Sequence, residues 1–223
     1  MKPLAEKYYG SIAERAPTFV RERPSVKWPD EDKRIVRRDP RVTEATWLRY
    51  FPAPSYATAS EEEAPVFDVL AEILGGGTTS RLYRALVVEQ GVATGAQSWY
   101  EGSRLNQGKF GLYALPRTGG TLDALEKAMD AEVQRLLETG ITDEELERAK
   151  TVIVASAVYA RDSQRSMAYA YGEGLMTGLG VDEIHEWPER VSGVTKDDVL
   201  AAAKKIFTGT HSVTGELLPG GDS

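Results

Sequence analysis

Two histidines, His185 and His211, a glycine run at Gly75-Gly76-Gly77 and no cysteine are what this 223-residue chain offers for building chemistry. A catalytic zinc needs three protein ligands, commonly two histidines on one helix face and a carboxylate. His185-Glu186-Trp187-Pro188-Glu189 begins like a His-Glu-x-x-His helix, but glutamate stands where the second histidine belongs and a proline intervenes. It reads as a surface histidine near a helix start. No inverted His-x-x-Glu-His and no Gly-x-Ser-x-Gly occurs, and neither histidine has a neighbour pattern that marks it as a base. Disulfide and thiolate chemistry are excluded by composition. The expected catalytic, metal and cofactor residues of this chain are therefore none.

The glycine run has backbone amides to offer an anion. Its context argues otherwise, because it follows an apolar helix rather than a strand and continues Thr78-Thr79-Ser80-Arg81 rather than Lys-Ser/Thr. A helix-to-helix turn is the better reading. Trp99, Tyr100 and Tyr113 could line a groove, but aromatic side chains in strands more often pack against a helix layer, and packing is expected here. Glu61-Glu62-Glu63 suits the positive end of a helix dipole.

The elements that would position these residues are well punctuated. Arg34 to Asp39 and Ala45 to Phe51 read as strands, and an antiparallel pair around Asp39-Pro40 is the simplest arrangement. Val66, Val69, Leu70, Ile73 and Leu74 form one helical stripe, started by a Ser60/Glu63 capping box or by Pro65 in a first turn, and ended by the glycines. Thr78 or Thr79 is placed to cap the next helix, with Leu82 and Leu86 inward. Val92 to Tyr100 and Lys109 to Leu115 follow as strands, with Phe110, Leu112 and Ala114 on one face. Leu122, Leu125, Met129, Val133, Leu136 and Leu137 make a second stripe. Thr142 with Glu145, and Thr195 with Asp198, predict two capped helix starts, stapled by Ile141 on Leu146 and by Val194 on Val199. Helices are expected to about Tyr159, over Met167 to Met176 and around Ile184 to Val191, and a last strand over His211 to Leu218. That order predicts an α+β fold, an antiparallel or mixed sheet of about five to six strands with helices on one side.

Hydrophobic residues at 41% and charged residues at 27% are globular values, and no apolar run approaches a bilayer span. Twenty-seven basic against 34 acidic residues give a net charge of −7 with no basic block, which sets nucleic acid aside. Met1 to Gly10 has no signal-peptide core and reads as the last turns of a helix, so a start at Met1 is expected to be artificial. Cytoplasm and periplasm both remain open. Residues 13–33, with Pro17, Pro24 and Pro29, read as a linker, which makes 1–12 the tail of a preceding half, 34–219 the main domain and 220–223 a flexible tail.

Apolar helix, Gly75-Gly76-Gly77-Thr78-Thr79, Ser80-Arg81-Leu82-Tyr83, Glu89-Gln90-Gly91-Val92-Ala93: in that order these segments resemble the C-terminal half of the pitrilysin/insulinase zinc metallopeptidases, the family of mitochondrial processing peptidase. The likeness extends from Ala5-Glu6-Lys7-Tyr8-Tyr9-Gly10 to Val213-Thr214-Gly215. It implies a non-catalytic half that closes a peptide chamber over a zinc-bearing N-terminal half. Zinc is expected in that other half and none in this chain. Implied partners are the N-terminal half, a related subunit in a homo- or hetero-dimer, and peptide substrates held as an added strand. The resemblance puts Gly75, Gly76, Gly77, Thr78 and Thr79 at the position of a substrate-facing loop. Zinc-free subunits of the family often carry an arginine and a tyrosine seven residues apart. Here those positions hold Val87 and Thr94, which implies the zinc-bearing member of a pair. A scaffold of the same fold without peptidase activity is the alternative.

Overall fold

The computed structural model describes residues 1–13 and 27–220. Helix α1 (Lys2–Tyr9) has no buried residue and exposes Leu4, Tyr8 and Tyr9. Residues 14–26 of the expected linker and 221–223 of the expected tail lie outside the described residues. Trp28 Nε1 already donates to the His211 carbonyl (2.7 Å), and the Ser212 amide donates to Asp32 (2.6 Å), so the domain is fastened just before its first strand.

Five strands form one mixed sheet: β1 (Lys33–Asp39), β2 (Thr46–Ala53), β3 (Ala93–Glu101), β4 (Gly108–Pro116) and β5 (Val213–Pro219), in the order β1-β5-β2-β4-β3. The expected β1–β2 pair is not formed. The last strand inserts between them, parallel to β1 and antiparallel to β2, with Lys33 opposite Val213 and Leu48 opposite Gly215. Short-range connection favours a hairpin, but β1 has no buried face of its own, so it is placed by ladder hydrogen bonds to β5 rather than by burial.

Helices cover one face. They are α2 (Glu63–Gly75), a π-wound helix (Tyr83–Glu89), α3 (Leu122–Thr139), α4 (Asp143–Ala160), α5 (Gln164–Thr177), α6 (Val181–Gly193) and α7 (Lys196–Phe207). The α2 stripe expected from the spacing is wholly buried, as are Leu82, Leu86, Phe110, Leu112 and Ala114. Phe207 of α7 meets Phe51 and Phe110 edge-on at 5.1 and 5.7 Å. Each such side chain contributes about 2 kcal/mol of apolar burial, which offsets the cost of ordering the chain around it.

Local signals set the helix ends unevenly. Both threonine capping boxes form, with Thr142 and Thr195 accepting from the amides of Glu145 and Asp198, over the buried pairs Ile141/Leu146 and Val194/Val199. Ser60 does not cap α2: its carbonyl takes the Glu63 amide, the N-cap is Glu62, and Pro65 sits in the first turn where its missing N–H costs nothing. Neither Thr78 nor Thr79 caps the π-wound helix, whose N-cap is Leu82. Instead Ser80 Oγ donates to the Gly77 carbonyl (2.6 Å) and tightens the turn. Helix α6 is longer than its apolar pattern suggests and carries Pro188 inside.

Candidate functional site

The face of the sheet turned away from the helices is the surface with the most chemistry on it. Side chains alternate along a strand, and the register puts Leu48 and Tyr50 of β2, Trp99 of β3, Lys109 and Tyr113 of β4 and Val213 of β5 together on that face. Tyr100, one residue on, points the other way and packs on Phe67 of α2 at 5.3 Å. Packing against the helix layer thus holds for Tyr100, whereas Trp99 and Tyr113 lie on the uncovered face. The alternation rule separates the two groups, but which group meets the helices depends on long-range pairing.

The aromatic cluster has a charged hinge. Trp99 meets Tyr50 edge-on at 5.6 Å, and Lys109 Nζ stands 4.6 Å from the Tyr50 ring centre, a cation–π contact worth about 1 kcal/mol at a part-exposed site. Glu101 accepts from Trp99 Nε1 (3.2 Å) and Arg104 (2.6 Å), with Lys109 at 3.4 Å. Burial alone would raise the Glu101 carboxyl, but these donors outweigh it and hold it below its ordinary value. Tyr50 moves up instead, through burial and the charge of Glu101. Gly111 makes the arrangement possible: a Cβ there would lie 2.5 Å from the Trp99 indole, which covers it. The result is a part-exposed, preformed patch of indole, phenol and ammonium suited to an extended peptide or an apolar protein surface.

The glycine-rich segment divides into two parts. Gly75 is the last residue of α2 and buried: a Cβ would sit 2.5 Å from the Gln97 carbonyl carbon and closer still to the Ser98 amide nitrogen. Ser98 Oγ donates to the Ala71 carbonyl (2.8 Å), so helix and strand are in contact there. Gly76, Gly77, Thr78 and Thr79 form an exposed tip. The Ser-Arg-Leu string beyond it is structural. Leu82 is fully buried, and Arg81 donates to Glu145 (2.6 and 2.8 Å) and to the Gly140 carbonyl (2.8 Å), tying the loop to the start of α4.

Val87 lies in the π-wound helix and packs against the core, while Thr94 is exposed at an irregularity between Ala93 and Gly95 of edge strand β3. Wide helical turns of this kind recur at functional positions. Neither side chain carries a charge.

Zinc, which the resemblance implies for the whole protein, finds no donor set among the described residues. His185 is exposed on α6, and His211 is exposed before β5 with Nδ1 3.9 Å from Asp32. Among the described residues no group of three or more His, Cys, Asp or Glu side chains stands close enough to hold a metal ion. No helix among them is long and apolar enough to cross a membrane. Sequence reasoning missed Tyr50, Glu101 and Lys109, whose roles depend on partners in other strands.

An uncharacterized zinc protease of Streptomyces coelicolor is 29% identical over 148 residues, 66% of this chain and 32% of the relative. A second, from Rickettsia felis, is 27% identical over 140 residues, 63% of this chain and 33% of the relative, so the chain spans about a third of the curated relatives it matches. A protease from Helicobacter pylori superposes with a TM-score of 0.86 at 21% identity, over 98% of this chain and 51% of that one, which shows a shared fold. The family model described as "Peptidase M16 inactive domain" matches residues 1–153. The chain belongs to that family: it is an inactive domain of the M16, or pitrilysin/insulinase, zinc peptidases.

Proposed function

We propose that this chain is the non-catalytic half of a zinc-dependent metalloendopeptidase, closing a chamber over peptides that a zinc-bearing half hydrolyses. The observation that carries the reading is the one-sided sheet, with Tyr50, Trp99, Lys109 and Tyr113 gathered on its uncovered face in a chain that spans about a third of the curated relatives it matches. Uncovered aromatic area of this kind marks a surface that meets something else. The other half and the peptide meet this chain on that face and at the exposed Gly76–Thr79 tip. The uncharged Val87 and Thr94 fit a subunit that carries the zinc elsewhere and works beside a related partner.

Co-producing this chain with its zinc-bearing half and following cleavage of a quenched fluorescent peptide tests the proposal. Turnover is expected only when both halves are present. Trp99→Ala, and separately a shortened Gly76–Thr79 loop, should each lower kcat/KM about tenfold with zinc content unchanged. Unchanged turnover in both variants removes the substrate-facing assignment. Absence of turnover from an assembled, zinc-loaded wild-type pair overturns the peptidase reading in favour of a scaffold of the same fold.

A further inference from the structure

Under the α5–α6 hairpin lies a cavity of about 540 Å³ that the peptidase reading does not use. Helix α5 is the thinly held arm of it, whereas α6 buries Val191 completely. Gly174 is the one buried residue of α5, and the Ile184 side chain of α6 fills the space that a Cβ there would need. The cavity floor, by contrast, is a polar chain reaching across 131 residues of sequence: Trp187 Nε1 donates to Tyr56 Oη, and Tyr56 Oη donates to Asp68 Oδ2. Both capacities of the phenol are used, while the carboxyl keeps unused acceptor sites beside the cavity it lines. Ala157, Met167, Leu179, Ile184 and Pro188 supply the apolar part of the walls.

Among the described residues no cation pairs with this carboxylate. Burial raises Asp68 to about 7, against the hydrogen bonds from Tyr56 and Trp187. The neighbouring charges are mostly committed elsewhere. Arg190 is bound to Glu61 and Glu186, each at 3.2 Å, and Glu183 accepts from the Gly180 amide (2.5 Å) at the start of α6. Tyr100, from the sheet side, donates to the Pro54 carbonyl (2.6 Å) and stays neutral, raised by burial and by Asp68. Glu173 and Tyr171 of α5 add a second carboxylate and a ring to the lining, with exposed His185 and, from the end of α4, Arg161.

We propose that this cavity is a binding site for a primary ammonium ion carried on a compact apolar or aromatic body. The ammonium ion pairs with Asp68 and faces the rings of Tyr56 and Trp187. The body lies along Met167 and Ile184. The volume falls within the range of small-molecule sites, and desolvated cation–π contacts strengthen the ion pair. Because the cation binds only the ionised carboxyl, binding expels a proton from Asp68 as pH falls below its range, and affinity rises with pH.

Isothermal titration calorimetry of the whole chain with phenethylamine tests this. The amine stays charged near neutrality, as lysine does. One site per chain is expected, with affinity about tenfold higher at about pH 8 than at about pH 6. Phenethyl alcohol should bind at least about tenfold more weakly, with no pH dependence. Asp68→Asn should abolish the pH dependence and weaken the amine by a similar factor. His185→Asn should leave both unchanged, which assigns the titration to Asp68. Ala157→Phe fills the cavity while keeping the Asp68 carboxyl and should remove binding, and it carries the test if circular dichroism shows that Asp68→Asn does not fold. No heat with the amine, a pH-flat affinity, or equal binding of the alcohol would overturn the assignment.

Discussion

Replacing Arg81 with alanine is expected to cost about 3 kcal/mol of unfolding free energy, read from urea denaturation, a large share of the stability of an ordinary domain. Arg81 and Glu145 side chains are only 11% and 16% exposed, and the same guanidinium also satisfies the Gly140 carbonyl. Removing it leaves a carboxylate and a carbonyl that packing shields from full hydration. Losing one member of such a pair costs far more than the pair's net worth, so Arg81→Met combined with Glu145→Gln should recover about half of the loss.

The same pair sets a pH dependence. Burial alone would raise the Glu145 carboxyl, but the Arg81 hydrogen bonds, the Thr142 amide and the Arg81 charge overcome it and hold it at about 2. In the unfolded chain the carboxyl takes its proton near its ordinary value of about 4.3. As pH falls the unfolded state therefore binds the proton first. The stabilisation is complete above about pH 5 and is lost as pH falls through about 2. Denaturation series across that window should show a smaller acid-induced loss for Arg81→Ala than for the wild type. Parallel curves would mean that Glu145 is not held by Arg81.

Gly75→Ala is the second large effect, and here two opposing terms must be weighed. Alanine is preferred to glycine inside a helix by about 1 kcal/mol. Against that, the new Cβ meets the backbone of Gln97 and Ser98 in β3, which cannot swing aside as a side chain would. Overpacking against backbone costs about 3 kcal/mol, so the clash wins and the variant should lose about 2 kcal/mol, or about 6 °C in Tm for a domain of this size. Gly193→Ala is the matched control. Gly193 also ends a helix, α6, yet a Cβ there meets nothing within 4 Å, so stability should be unchanged or slightly higher. Equal Tm shifts for the two variants would contradict the helix–strand contact.

These two residues come from the segment that most resembles the peptidase family, and their structural duties explain why sequence alone reads that segment well. Gly75 and Arg81 act on partners fixed by the fold, the β3 backbone and the start of α4, so the segment announces the architecture rather than a reaction. The α2 stripe and the Thr142 and Thr195 caps were legible for a different reason: their partners lie within a few residues. Where partners lie far apart the reading failed or stopped. The insertion of β5 beside β1 depends on residues about 180 positions apart, and local order favoured a hairpin that does not form. Strand alternation put Trp99 and Tyr100 on opposite faces, yet only the sheet order shows which face the helices leave open. In helix α6 the sequence points to His185, while its neighbour Trp187 makes the long-range bond to Tyr56 and closes on Asp68. A buried polar chain of that kind leaves no periodicity in the sequence.

Metal content decides whether this domain supplies surface and no zinc chemistry. The purified chain, equilibrated with a slight excess of zinc, passed through a desalting column and measured by atomic absorption, should retain close to no zinc per molecule. Retention of one zinc per chain, abolished by substituting His185 or His211, would mean that this domain holds a metal site of its own.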